Sequence, residues 1–96
     1  MKKFVLLYVG SQEATPEVVE LWDKWFASIA DRTVDSGNPF GAGKEVNTEG
    51  AQDLPYGPDA IAGYTIINAE SLDEAAKIAE ACPSIAGVRV YEALPM

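Results

Sequence analysis

The chain has no histidine, one cysteine, and only 7 lysines and arginines against 15 aspartates and glutamates in 96 residues. Each shortage excludes something. Without imidazole, no side chain has an ordinary pKa near 7, so the usual general base is missing, and so is every metal site that needs a His ligand. One cysteine, Cys82, closes no intrachain disulfide, and a reducing cytoplasm is the expected setting. A formal charge of −8 opposes the phosphate neutralisation that drives most nucleic-acid affinity, so neither direct DNA or RNA contact nor docking on anionic membrane is expected. No stretch approaches the roughly 18 consecutive apolar residues of a membrane span. The run Phe4–Val9 stops at Gly10 without a small-residue cleavage site, which predicts a buried strand rather than a leader peptide. A single domain over residues 1–96 follows. It should hide roughly 60–65 % of its unfolded surface, enough for one modest core.

The local signals are clear in places. Thr15-Pro16-Glu17 combines a hydroxyl N-cap, a proline at the first helical position and a first-turn carboxylate. Val18, Leu21, Trp22, Trp25, Phe26, Ile29 and Ala30 then recur at helical spacing, with Glu20, Asp23, Lys24 and Asp31 mostly opposite. Ser36-Gly37-Asn38-Pro39 is expected to end this helix, with Gly37 as its left-handed terminus. Gly43–Thr48 reads as a weak strand, Gly50–Asp59 as a loop because of its glycines and prolines, and Ile61–Ile67 as a firm strand. Ser71-Leu72-Asp73-Glu74 matches a capping box opening a second helix whose narrow stripe is Leu72, Ala75, Ala76 and Ala79. Pro83 stops it, and Val88–Glu92 is the last strand.

The order β-α-β-β-α-β predicts an α+β, ferredoxin-like fold: a four-stranded antiparallel sheet with two helices on one face. The other face should not meet water. Phe4, Leu6 and Tyr8 alternate with Val5, Leu7 and Val9, so the first strand is apolar on both sides. Two such sheets packed face to face would form a dimeric α+β barrel, and a homodimer is therefore expected.

Met1–Leu7, Ser36–Gly41, Gly63–Ala75 and Ala81-Cys82-Pro83 resemble, in order, segments of the YCII-related family, also called the DGPF family. The resemblance covers most of the chain, and Gly63–Ala75 is its most specific part. It implies a dimeric α+β barrel and little settled chemistry. The Asp-Gly-Pro-Phe segment that names the family is altered here to Leu54-Pro55-Tyr56-Gly57-Pro58-Asp59. Some members carry a His-Asp pair proposed as an active site. Phe26 and Cys82 stand near those two positions, so no catalytic residue is carried over.

Candidate ligand-binding residues are Tyr8, Trp25, Asn38, Tyr64, Arg89 and Tyr91. Trp22, Trp25 and Phe26 could line a pocket for a flat ligand, but large side chains at helical spacing more often fill a core. Arg89 and Tyr91 share one face of the last strand, opposite Val88 and Val90, and are expected to point into a dimer cleft. There the guanidinium could clamp a carboxylate or phosphate, or pair with an acid of the second subunit. Tyr8 and Tyr64 join that cleft if register allows. Asn38 and Lys44 could supply polar contacts at its mouth. Gly41-Ala42-Gly43 lacks the Gly-Lys-Ser/Thr ending of a phosphate loop. Cys82, at a helix C-terminus with no histidine to activate it, reads as a structural thiol. No metal site or cofactor is indicated. The leading expectation is a small-molecule-binding or accessory module without catalysis of its own. The alternatives are an isomerase, lyase or monooxygenase-like enzyme acting on a small acid or aromatic, and a regulatory protein with a transcription-associated partner, since relatives occur beside alternative sigma factors.

Overall fold

The computed structural model describes residues 1–10, 14–84 and 86–96. Its elements are β1 (Lys2–Val9), α1 (Pro16–Ser28), β2 (Thr33–Asp35), β3 (Gly43–Asn47), β4 (Gly50–Leu54), β5 (Ile61–Ala69), α2 (Leu72–Ala79) and β6 (Val88–Ala93). Strands β2, β5, β1 and β6, in that spatial order, form an antiparallel sheet, and the chain has the α+β, ferredoxin-like fold. The helices cover the face carrying Phe4, Leu6 and Tyr8 of β1 and Ile67 and Ala69 of β5. These residues form one cluster with Trp25, Ile29, Ala75 and Ala79. Leu72 and Ala76, expected in the α2 stripe, are exposed; half-buried Ile78 takes their place against the core.

The helix starts follow their sequence signals. The Val18 amide donates to the Thr15 hydroxyl at 3.3 Å, and the Glu74 amide donates to Ser71 Oγ at 3.1 Å. The second half of the expected capping box differs. The Glu74 carboxylate reaches back to the Glu70 amide, at 3.1 Å, and also accepts from Arg32 at 3.0 Å. The Glu70 amide, with Arg32 second, holds that carboxyl below its ordinary pKa. The bond joins α2 to the turn after α1.

Three expectations between residues 29 and 60 are corrected. Helix α1 ends at Ser28, not near Ser36. The Arg32 amide and the Thr33 hydroxyl both donate to the Ile29 carbonyl, and the β-branched pair Thr33-Val34 then runs extended along β5. The second strand of the main sheet is therefore this short segment, and Gly43–Asn47 lies outside it. Gly50–Leu54, read as a loop, is instead the partner of Gly43–Asn47 in a separate two-stranded hairpin. An Asx turn at Asn47, whose side chain accepts from the Glu49 amide at 2.8 Å, and the cross-strand Lys44–Asp53 ion pair at 2.7 Å close this hairpin despite its poor strand composition. Gly37 does have positive φ (75°), but as the bend after β2 rather than a helix cap.

Candidate functional site

A cleft of about 650 Å³ opens between the first half of α1 and the end of the sheet where β1 finishes and β5 begins. Three features of the chain make it. The register slips between Tyr8 and Val9, so β1 bends away as it leaves the sheet. Val18, Val19, Trp22 and Phe26 form the α1 wall. Opposite them, Gly37–Pro39 crosses β5 at close range: the Phe40 amide donates to the Ala62 carbonyl at 2.8 Å, and Pro39 bridges to Gly63. Gly63 permits that crossing, since a Cβ there would sit 3.0 Å from the Asn38 carbonyl oxygen and 3.3 Å from the Pro39 Cα. Ser84, from the connection after α2, completes the rim.

The floor is polar and fully engaged. Trp25 Nε1–H donates to the Tyr8 hydroxyl at 3.1 Å, Tyr8 donates to Thr65 Oγ1 at 2.7 Å, and Thr65 donates to the Ser36 carbonyl at 3.1 Å. Tyr8 is 5 % exposed and Trp25 3 %. Among the described residues no buried side-chain polar atom lacks a partner. Burial raises the Tyr8 pKa, and the bonds with Thr65 and Trp25 offset this only in part. The phenol proton thus points inward to Thr65 and stays bound. A ligand would meet the tyrosine ring rather than an available acid. Above the floor two aromatics stand edge-on to Tyr8, Trp22 with centroids 4.9 Å apart at 82° and Phe26 at 6.4 Å and 86°, and these two are tilted 35° to each other at 5.8 Å.

The sequence candidates separate into two groups on opposite faces of the sheet. Tyr8 and Asn38 line the cleft, and Trp25 lies beneath it as donor to Tyr8. Trp25, which sat at the edge of the apolar stripe in sequence, is the most buried of the three helix aromatics, while Phe26 is 37 % exposed. Tyr64 borders the cleft where β5 passes Gly37, but by strand alternation its ring lies on the other face. There it stacks on Phe40 at 5.6 Å and donates to Asp35 at 3.3 Å. Arg89 and Tyr91 also lie on the face away from the helices, paired across from Leu7 and Val5. Register therefore does not bring Tyr8 together with Arg89 and Tyr91. Lys44 is in the hairpin, bound to Asp53, and not at the cleft mouth.

Four residues of this site escaped the sequence reading. Thr65 had a signal, as the one polar side chain at an inward position between Gly63 and Ile67. Asp23, assigned to the solvent side of α1, is the only carboxylate lining the cleft among the described residues. Ser36 and Gly63 contribute through backbone proximity, which leaves no composition signal. Among the described residues no group of His, Cys, Asp and Glu is placed to hold a metal.

Cys82 is half-buried, and burial pushes its thiol from an ordinary 9.0 up to about 11, against a smaller opposing effect of the Ser84 backbone hydrogen bond. At neutral pH its thiolate fraction is then about a hundredfold below that of an unperturbed cysteine. Alkylation by iodoacetamide, followed by mass spectrometry, should be slower by about that factor in the folded protein than in urea. Equal rates would show that the thiol is not shielded.

No family model matches the chain, and a search of curated proteins returns no match. A solved structure does. The chain is similar to 5-chloro-2-hydroxyhydroquinone dehydrochlorinase (TftG) from Burkholderia phenoliruptrix AC1100, determined in complex with 2,5-dihydroxybenzoquinone. The TM-score is 0.55 at 17 % identity, over 93 % of this chain and 90 % of that one. At that identity the likeness supports the fold alone.

Proposed function

We propose that the protein binds a flat, largely apolar aromatic molecule in the cleft between α1 and the sheet, as a YCII-related homodimer and without catalysis of its own. The observation that carries this is the aromatic wall of Trp22, Phe26 and Tyr8 over a floor whose protons are already committed. A cleft of this size suits one to two fused rings, and its few polar groups, Asn38 and Asp23 among them, suffice to orient a ring substituent. The resemblance stated above supports the family. The apolar open face of the sheet, with Val5, Leu7 and Ile66 beside Tyr64 and Tyr91, supports the dimer. Titration with 2,5-dihydroxybenzoquinone and simple hydroquinones tests the reading. Indole fluorescence should be quenched and thermal stability raised with one binding curve per chain. Absence of both effects across a panel of one- and two-ring aromatics would overturn it.

One observation favours an enzyme instead: the structural neighbour is a dehydrochlorinase bound to a dihydroxybenzoquinone. Elimination of HCl needs a base to take the proton, and Asp23 is a carboxylate that lines the cleft. On this reading the protein releases chloride from a chlorinated hydroquinone, and Asp23→Asn abolishes release while leaving binding within a few fold. No chloride release by the wild-type protein would leave the binding reading standing alone.

A further inference from the structure

The structure assigns the β3–β4 hairpin as an exchanged arm that clamps a second copy of this chain at the edge carrying Arg89, a role that rests on the face-to-face dimer proposed above and specifies its axis. Every residue of both hairpin strands is exposed. The hairpin forms its own sheet. The radius of gyration is 14.3 Å, where a compact chain of this length has about 12.5 Å. A two-stranded ribbon is marginal alone in water, so a projecting one calls for a surface to lie on.

The arm is apolar and acidic. Val46 is 73 % exposed, with Leu54 and Tyr56 also open. Residues 40–60 hold Glu45, Glu49, Asp53 and Asp59 against Lys44 alone. Its root stands on the open-face side of the sheet, where Leu7 faces Phe40, Leu54 and Tyr56 across a hollow of about 750 Å³. The open face itself is apolar along β1 and basic towards β6, with its carboxylate Asp35 at the opposite, β2 edge and bonded to Tyr64. Lys3 and Arg89 flank Val5 and Leu7, and Arg89 has no carboxylate partner among the described residues.

Arm and Arg89 sit on opposite edges of one chain. The arm joins β2 to β5, whereas β6 ends the order β2-β5-β1-β6, about 14 Å across the sheet. Two copies meeting open face to open face can be related by a two-fold axis along the strands or across them. An axis across the strands keeps both arms on the β2 edge, one at each end, and away from either Arg89. The axis along the strands sets each arm over the partner's Arg89 edge, twice by symmetry, so opposite charges meet and the apolar arm covers the apolar face.

Sedimentation over a range of concentrations, with amide exchange on the arm, tests this. Arg89→Glu should weaken dimerisation about tenfold, since the lost contact occurs twice. The pair Glu45→Lys and Glu49→Lys should weaken it similarly, and combining all three changes should restore affinity to within a few fold. Hairpin amides should be protected in the dimer and lose protection on dilution. A dimer whose affinity ignores both reversals, or shows no recovery in the combination, overturns the arm while leaving the sheet-to-sheet dimer standing. A wild-type monomer at micromolar concentration overturns both.

Discussion

Gly37→Ala is expected to cost about 3–5 kcal/mol, a large part of the stability of a domain this small. Two effects act together. At φ 75° a side chain is strained whatever surrounds it, and here the added Cβ would overlap the Tyr64 carbonyl oxygen, which is backbone and cannot swing aside. Relief requires the 36–39 segment to lift from β5. That lift would stretch the Thr65 bond to the Ser36 carbonyl and the Phe40 bond to Ala62. The cleft wall and the fold should therefore fail together. Gly41→Ala is the control. A Cβ at Gly41 meets nothing, and its unfolding midpoint in urea should match the wild type within about 0.5 kcal/mol. Equal midpoints for the two variants would mean that the crossing over β5 is not held as described.

The second large effect separates two tryptophans three residues apart on α1. Trp25→Ala should lose about 3–5 kcal/mol, because the ring is buried in the core and its indole N–H is the donor to Tyr8. Trp22 is only partly buried and faces the cleft, so Trp22→Ala should cost about half as much stability. Its larger effect should be on ligand affinity, a loss of about tenfold from the missing aromatic contact. Trp25→Phe keeps most of the volume and removes the donor. It should cost about 1–2 kcal/mol and release the Tyr8 hydroxyl, visible as a change in the phenol's titration at high pH. The Trp25 bond holds the Tyr8 pKa down against burial, so its loss should raise that pKa further. A raised folded pKa contributes stability that is complete below the ordinary value of 10.0 and lost as pH rises through the folded one. If Trp22→Ala destabilised as strongly as Trp25→Ala and left affinity unchanged, the wall and floor assignments would be reversed.

Elements with strong local chemistry were legible in the sequence. Thr15-Pro16 and Ser71 fixed two helix starts, and the β-branched run at Ile61–Ile67 fixed the central strand. The alternation of β1 was legible too: Phe4, Leu6 and Tyr8 are buried under the helices while Val5 and Leu7 are half-buried on the other face. Between residues 29 and 60 the strand at Gly43–Asn47 was legible and the rest was not, for a physical reason. Thr33–Asp35 is three residues long and gains strand geometry from pairing with β5, which local preference does not encode. Gly50–Leu54 has almost no β-branched content and is held by a turn at Asn47 and one ion pair. The candidate site was half legible for a related reason. Residue types at Tyr8 and Arg89 pointed to chemistry. Only the register, which puts Tyr8 under the helices and Arg89 on the open face, shows that they belong to different surfaces.

The most direct test of the cleft assignment is an NMR titration with 2,5-dihydroxybenzoquinone that follows the two indole N–H signals and the backbone amides. The Trp22 indole and the amides of Gly37, Asn38 and Gly63 should move with one common saturation curve, while those of Arg89 and Tyr91 stay in place. Shifts centred on Arg89 and Tyr91, with the Trp22 indole unmoved, would place the ligand on the open face of the sheet and contradict the account.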